Sequence, residues 1–395
     1  MSRLRKHFLY LQHHQNYESD RHATWLELFF DLVFVLAIAE LSHLLHHDLT
    51  WTGIASFAAL FVPVWWLWID FSYFADQFDV ERGIYRPIML ATMFGLIVMA
   101  LTVPEALNGG SAQFAAAYAA LRLVITFLYI QAFRFVPLSR ALTKRYVMSF
   151  SVALGLWLIS IVMPEPIRFL LWGIALFIEI GTGPITYLTV RDVPTQNSHM
   201  DERFGLFMII VLGEAIVAVA AGVSETSWGW QSILMGTGGF LIAANFWWMY
   251  FERAEESAIN QALRGGKRAL LRSFLYGYSH VLAFMGIAAT SVGIQVAIES
   301  AADHAFTPEA RTILGGGIAL FLIGVTALQW ASPGSLPQRV VVLRSGLALL
   351  ALCLIPLETL FSPVVMVLLL GTALALINGI DGVPLLTSRL QRLEE

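Results

Sequence analysis

Cysteine is almost missing from this sequence: Cys353 is the one residue of its type, and it stands in an apolar run. No intrachain disulfide can form, and thiol redox chemistry and a cysteine metal cage are excluded with it. Charge is scarce too. Charged residues make up 13% of the chain and apolar ones 57%, where a soluble domain carries roughly 25% charged residues. The net charge of −4, from 24 basic and 28 acidic residues, supplies no basic field, which argues against nucleic acid as a partner. No HExxH, Gly-x-Ser-x-Gly or GxxxxGK[ST] string occurs. Zinc proteolysis, elbow-serine hydrolysis and nucleotide hydrolysis therefore lack support, and no cofactor is expected. Residues 1–23 hold no long apolar core and no small-residue cleavage site, so they read as a tail and not as a cleaved signal peptide.

Long apolar runs are what the sequence does contain, with a mean hydropathy of +0.70. A spanning helix needs about 20 mostly apolar residues. Twelve stretches come near that length: 24–45, 52–75, 85–107, 113–133, 146–163, 167–189, 203–222, 230–252, 270–298, 310–331, 339–358 and 362–380. Short connections such as Asn108-Gly109-Gly110 and Ser332-Pro333-Gly334 join them, leaving no room for a soluble domain. The expected fold is all-α, a polytopic membrane protein of twelve transmembrane helices with both termini cytoplasmic. With that orientation, Arg168 and Arg311 alone count with the outer loops, each at the outer edge of its span, and Arg122 lies within a span, so the other 21 of the 24 lysines and arginines count with the cytoplasmic side. Basic residues stay on the side of synthesis, and a missed helix would scramble that asymmetry.

The two halves resemble each other. Trp65-Trp66-Leu67-Trp68-Ile69-Asp70 in span 2 matches Trp247-Trp248-Met249-Tyr250-Phe251-Glu252 in span 8. Span 6 ends Ile178-Glu179-Ile180-Gly181-Thr182-Gly183-Pro184, and span 12 ends Ile377-Asn378-Gly379-Ile380-Asp381-Gly382-Val383-Pro384. Six spans per half give both copies one orientation, the parallel repeat found in many transporters. The expected organisation is a tail (1–23), a first six-helix repeat (24–190), a linker (191–202), a second repeat (203–380) and a C-terminal tail (381–395).

Ionisable groups inside a bilayer are costly, so each is a functional hypothesis. Glu27 and Asp31 stand four residues apart on one face of span 1. Two acids in a poorly hydrated site do not both ionise, which is the chemistry of a proton site. Asp70 and Glu252 lie at the cytoplasmic ends of their spans, within reach of the headgroups. Deeper stand Glu179, Glu214, Arg122 and His280, a candidate central pathway. Arg122 requires an acidic partner, and Glu179 and Glu214 are the candidates. Gly181-Thr182-Gly183-Pro184 reads as a helix break beside Glu179. His280 reads as a hydrogen-bonded core histidine. His43, His46, His47 and Asp48 have spacings a zinc ion could use, although solvated interfacial histidines are commoner. Trp65, Trp66, Trp68, Trp247 and Trp248 read as an interface belt, and Gly315-Gly316-Gly317 as close helix packing.

Two stretches carry a family resemblance. They are Thr24-Trp25-Leu26-Glu27-Leu28-Phe29-Phe30-Asp31-Leu32-Val33-Phe34-Val35 and Glu202-Arg203-Phe204-Gly205-Leu206-Phe207-Met208-Ile209-Ile210-Val211-Leu212-Gly213-Glu214-Ala215-Ile216, with His199 ahead of the second. In them the sequence resembles the bacterial low temperature requirement protein A family. The resemblance implies a multi-helix membrane protein and brings no molecular activity with it; the expected location is the bacterial inner membrane. It places Glu27, Asp31, Glu202, Arg203, Gly213 and Glu214 in its characteristic segments, with Arg203, beside Glu202, as a counter-charge for the acids of span 1. The leading functional reading is a proton-coupled secondary transporter of a small solute. An ion channel, or a membrane-embedded enzyme or lipid-handling protein using His280 and the intramembrane acids, are the alternatives. No nucleophile or metal set stands near those acids to favour an enzyme.

Overall fold

The structure is a computed structural model that describes residues 23–81, 83–190, 199–226, 229–252, 267–303, 306–332, 336–357 and 360–394. Most of the N-terminal tail and of the 191–202 linker therefore lies outside the described residues. Among those described there are twelve α-helices and no strand. They are α1 (Trp25–His47), α2 (Trp51–Gln77), α3 (Tyr85–Ala100), α4 (Ser111–Phe135), α5 (Arg140–Val162), α6 (Ile167–Thr189), α7 (Met200–Ser224), α8 (Trp230–Phe251), α9 (Lys267–Asp303), α10 (Pro308–Ala331), α11 (Gln338–Cys353) and α12 (Pro363–Glu394).

Ten of these helices are long and apolar enough to cross a membrane. The remaining two, α3 and α11, have 16 residues each, which at 1.5 Å per residue reaches only about 24 Å. Both stop earlier than the apolar run that carries them. Residues 101–109 continue α3 as turns, with Thr102 N–H bonded to Met99 O and Val103 N–H to Ala100 O. Pro104 has no amide hydrogen, and its ring would strike the carbonyl four residues back. Pro356 does the same beyond α11, where residues 354–356 form turns.

The break expected at Gly181-Thr182-Gly183-Pro184 is absent: α6 runs through Pro184 to Thr189. Pro184 removes one intrahelical bond there, a loss that neighbouring groups make tolerable inside a membrane helix. Likewise α12 continues past Asp381-Gly382-Val383-Pro384.

The chain forms two compact units. The first comprises Met1–Leu41, Ala59–Phe207 and Ser257–Phe274. Its interior is aromatic: Phe34, Phe61, Trp68, Phe74, Tyr129 and Trp157 are all buried. Trp65, Trp66 and Trp68 belong to this interior at 3%, 4% and 0% exposure, so they are not interface residues. Trp247 and Trp248, in the second unit, are 53% and 45% exposed.

The second unit comprises Ser42–Ala58, Met208–Glu256 and Leu275–Glu395. Here α9 and α10 approach through glycines. A Cβ on Gly286 would lie 2.7 Å from Gly317 O, and one on Gly293 would lie 2.6 Å from Leu314 Cα. Gly317 and Gly324 face Thr290 and Ala283 in return. Seven-residue spacing on both helices keeps these small residues along one seam, and dispersion between the close backbones replaces the side-chain packing that lipid cannot drive. Gly315 turns to α11, where its Cβ would lie 2.7 Å from Ala351 O. Arg311, counted with the outer loops, is 2% exposed inside this unit. Its guanidinium donates to Phe361 O at 2.6 Å and Phe306 O at 3.2 Å, the carbonyls two residues ahead of α12 and α10, so its charge is met by backbone acceptors outside the helices.

Candidate functional site

Two buried ion clusters lie within the first unit. One is built from the beginnings of α1 and α7. Thr24 opens α1 as half of a capping box: Thr24 N–H donates to Glu27 Oε2 at 2.8 Å, and Glu27 N–H donates to Thr24 Oγ1 at 3.3 Å. The string Thr-x-x-Glu signals this arrangement, and reading Glu27 with Asp31 as a carboxylate pair passed over it. Across the cluster, Glu202 accepts a hydrogen bond from Ala23 N–H at 3.2 Å. Asp76, near the end of α2, accepts one from His199 N–H at 2.8 Å, just ahead of α7.

One turn inward, Asp31 meets Arg203. The guanidinium donates from Nη2 to Asp31 Oδ1 at 2.5 Å and from Nε to Oδ2 at 3.4 Å. Trp68 of α2 adds its indole N–H to Oδ1 at 2.8 Å, and Arg203 Nη1 donates to Ser72 O at 3.3 Å. Asp31 is 0% and Arg203 2% exposed. Aromatic rings enclose the pair, with Trp68 stacked on Phe207 at 4.3 Å and Phe204 beside it at 5.4 Å. The first unit thus joins the first segment that carried the family resemblance to the beginning of the second, Glu202 to Phe207.

The second cluster lies among α2, α4, α5 and α6. Arg122, fully buried on α4, donates from Nη1 to Asp70 Oδ2 on α2. Its Nε lies 3.0 Å from Glu179 Oε1 on α6. The Phe150 ring of α5 covers the guanidinium at 4.4 Å, an attractive placement for a buried cation. Asp70 was expected at the headgroups and is instead 4% exposed beside Arg122. Helix neighbours are not visible in a sequence, so Asp70 was missing from the acids considered for Arg122. Glu214, which was considered, is half-buried in the second unit and faces Ser42 and His43.

Several other polar groups of the second unit are satisfied locally. His280 Nδ1 lies 2.8 Å from Tyr276 O, an acceptor, so that nitrogen carries hydrogen. Nε2 then accepts from Tyr250 O–H at 2.9 Å. Glu252 accepts from the Trp248 indole N–H at 2.9 Å on its own helix. His46 Nε2 lies 3.2 Å from Glu299 Oε2, and Asp48 accepts from Thr50 N–H at 3.1 Å at the start of α2. His43, His46, His47 and Asp48 do not converge, and among the described residues no group of three or more such side chains is placed to hold a metal ion.

Sequence reading missed Arg344, which was counted with the cytoplasmic charges although it falls inside the stretch 339–358. It is 2% exposed on α11, donating to Gln329 Oε1 at 2.7 Å and Asp381 Oδ2 at 3.2 Å. Gln329 passes the chain on, from its Nε2 to Met249 O at 2.9 Å. Asn245 and Asn378 bond across α8 and α12 at 2.8 Å. Polar residues inside apolar runs were the available signal for all of these.

Helices of spanning length with ion pairs sealed inside define an integral membrane protein whose charges are placed by tertiary packing. Residues 22–375 match the family described as bacterial low temperature requirement A protein, and the chain belongs to that family. It is similar to an uncharacterized protein of Rhizobium meliloti (strain 1021), with 31% identity over 329 residues, 80% of this chain and 79% of the relative. No solved structure matches.

Proposed function

We propose that the chain is a secondary transporter that moves a small solute across the bacterial inner membrane in exchange or symport with protons. Twelve spans, arranged as two parallel six-helix repeats with cytoplasmic termini, would supply the rocking halves of such a protein. The observation that carries the reading is the Asp31–Arg203 pair, excluded from water and bonded on three sides. A buried pair of this kind is weak as a stabilising device, and ionisable groups at membrane depth are retained where they handle ions or substrate. Protonating Asp31 releases the electrostatic hold on Arg203, which frees α7 to move against α1. Glu27, one turn before Asp31, relays protons from the cytoplasmic water. Glu214, half-buried on α7, lines the solute path.

The test uses the purified full chain in liposomes loaded with a pH-sensitive dye, under an imposed pH gradient and a panel of small metabolites. Substrate-dependent proton movement that disappears in Asp31→Asn is the expected result. Silence across the panel, from protein shown to be folded, sinks the transport reading and favours an enzyme acting on lipid or solute.

A further inference from the structure

Charge does not balance in the Arg122 cluster. Two carboxylates, Asp70 and Glu179, meet one guanidinium. Arg122 and Glu179 are both 0% exposed, and Asp70 is 4% exposed. Arginine keeps its charge under any condition a cell offers, so if both acids were ionised the cluster would hold one uncompensated negative charge in an apolar interior.

The other groups facing it do not supply the missing positive charge. From α4 come Tyr118 and Tyr129. Tyr118 donates its hydroxyl to Pro63 O at 3.3 Å, and Tyr129 packs against Phe74 and Tyr146. From α5 come Phe150 and Trp157, and from α2 the Trp66 indole, all uncharged.

The two acids are also served unequally. Asp70 accepts a charge-assisted hydrogen bond from Arg122 Nη1. Neither oxygen of Glu179 accepts a well-aligned hydrogen bond: the Arg122 Nε–H and the Trp157 indole N–H border it outside bonding geometry. A carboxylate without aligned donors is the species that burial penalises most, and the neutral acid is penalised far less.

We infer that the Asp70–Arg122–Glu179 cluster is a proton-binding site that holds one proton at neutral pH, carried by Glu179 and shared in charge with Asp70. The guanidinium already bridges the carboxylates, and its charge repels a metal cation, so a proton is the fitting occupant. Loading the site adds a proton to a Glu179 oxygen and leaves the Asp70–Arg122 pair intact. Unloading it puts both acids against Arg122 and leaves the cluster negative, a state that draws a proton or another cation back in. The site is a property of the first unit and stands whether or not the chain moves a solute.

Infrared spectroscopy of the full chain in liposomes reads it directly, since a protonated carboxyl has its own C=O stretching band. The wild type shows such a band at neutral pH. Either Glu179→Gln or Asp70→Asn alone abolishes it, because each leaves one acid to ionise against Arg122. In Arg122→Gln both acids are neutral and the band roughly doubles. Loss of the band on removing the acid that does not carry the proton is the signature of shared charge. If one single-acid variant fails to fold, the other still decides. A wild type without the band overturns the proposal. So does a band that survives in a folded variant of either acid.

Discussion

An arginine at 2% exposure cannot shed its charge, so Arg203 rests on what its neighbours provide. Arg203→Gln strands Asp31 in an apolar interior, and breaking a buried pair from one side costs about 3–5 kcal/mol. The double variant Asp31→Asn/Arg203→Gln regains most of that loss, because no lone charge is left behind. Thermal unfolding in detergent, followed by size-exclusion, reads the cycle; additive losses would show that the two side chains do not interact. Glu27 separates two roles. Glutamine serves a capping box about as well as glutamate, so Glu27→Gln keeps the melting temperature, while Thr24→Ala lowers stability by about 1 kcal/mol. If Glu27→Gln unfolds the protein, its carboxylate does more for the fold than cap α1. At this scale the sequence was legible in part. Two acids in one segment and an arginine in the other pointed toward the contact seen at Asp31 and Arg203. Asp70 was not legible, because its partner lies 52 residues away on another helix. Nothing in the local string marks it as buried instead of interfacial.

Among elements, the seam between α9 and α10 has the tightest geometry. A Cβ on Gly286 would sit 2.5 Å from Phe321 N, and backbone cannot swing aside as a side-chain tip can. Gly286→Leu must therefore push the two helices apart, with a loss of at least the 1–3 kcal/mol, roughly, that overpacking brings. Gly316, on the facing helix α10, is the control: its Cβ would meet nothing nearer than Thr312 Cγ2 at 3.8 Å. Gly316→Ala keeps the wild-type melting temperature, and Gly286→Leu yields aggregated or early-melting protein. Equal behaviour of the two variants would refute the seam. Helix positions were legible because apolar runs and turn residues are local signals, and α6 and α8 begin where the runs do. Helix ends were not legible where proline stands in an apolar run. Pro104 and Pro356 stop α3 and α11, whereas Pro63 and Pro184 sit inside α2 and α6. Whether a proline stops or only bends a helix depends on what packs beyond it, and that is tertiary information.

For the molecule as a whole, the two short helices decide the topology. If α3 and α11 both fail to cross, ten spans remain, and the termini still share one side of the membrane. Everything from α4 to α10 would then be inverted. The end of α4 and the start of α5, with Arg134, Arg140, Lys144 and Arg145, would face outward, against the bias that keeps basic residues on the side of synthesis. The proposed twelve-span topology avoids this: in it α3 and α11 would cross, each completing the hydrocarbon with the turns that follow it, residues 101–109 and 354–356. A bilayer thins locally around a short span at a modest cost, whereas moving four cations outward has no such remedy. Fusions at the termini cannot separate the two topologies, because both place the termini alike. Leu138 can: it is 67% exposed in the α4–α5 connection. Cys353 is the native thiol and must first become serine. In the Cys353→Ser/Leu138→Cys protein, a membrane-impermeant maleimide labels inside-out vesicles and leaves intact spheroplasts unlabelled if there are twelve spans. Labelling of spheroplasts instead establishes ten, and α3 and α11 then lie along the membrane without crossing it.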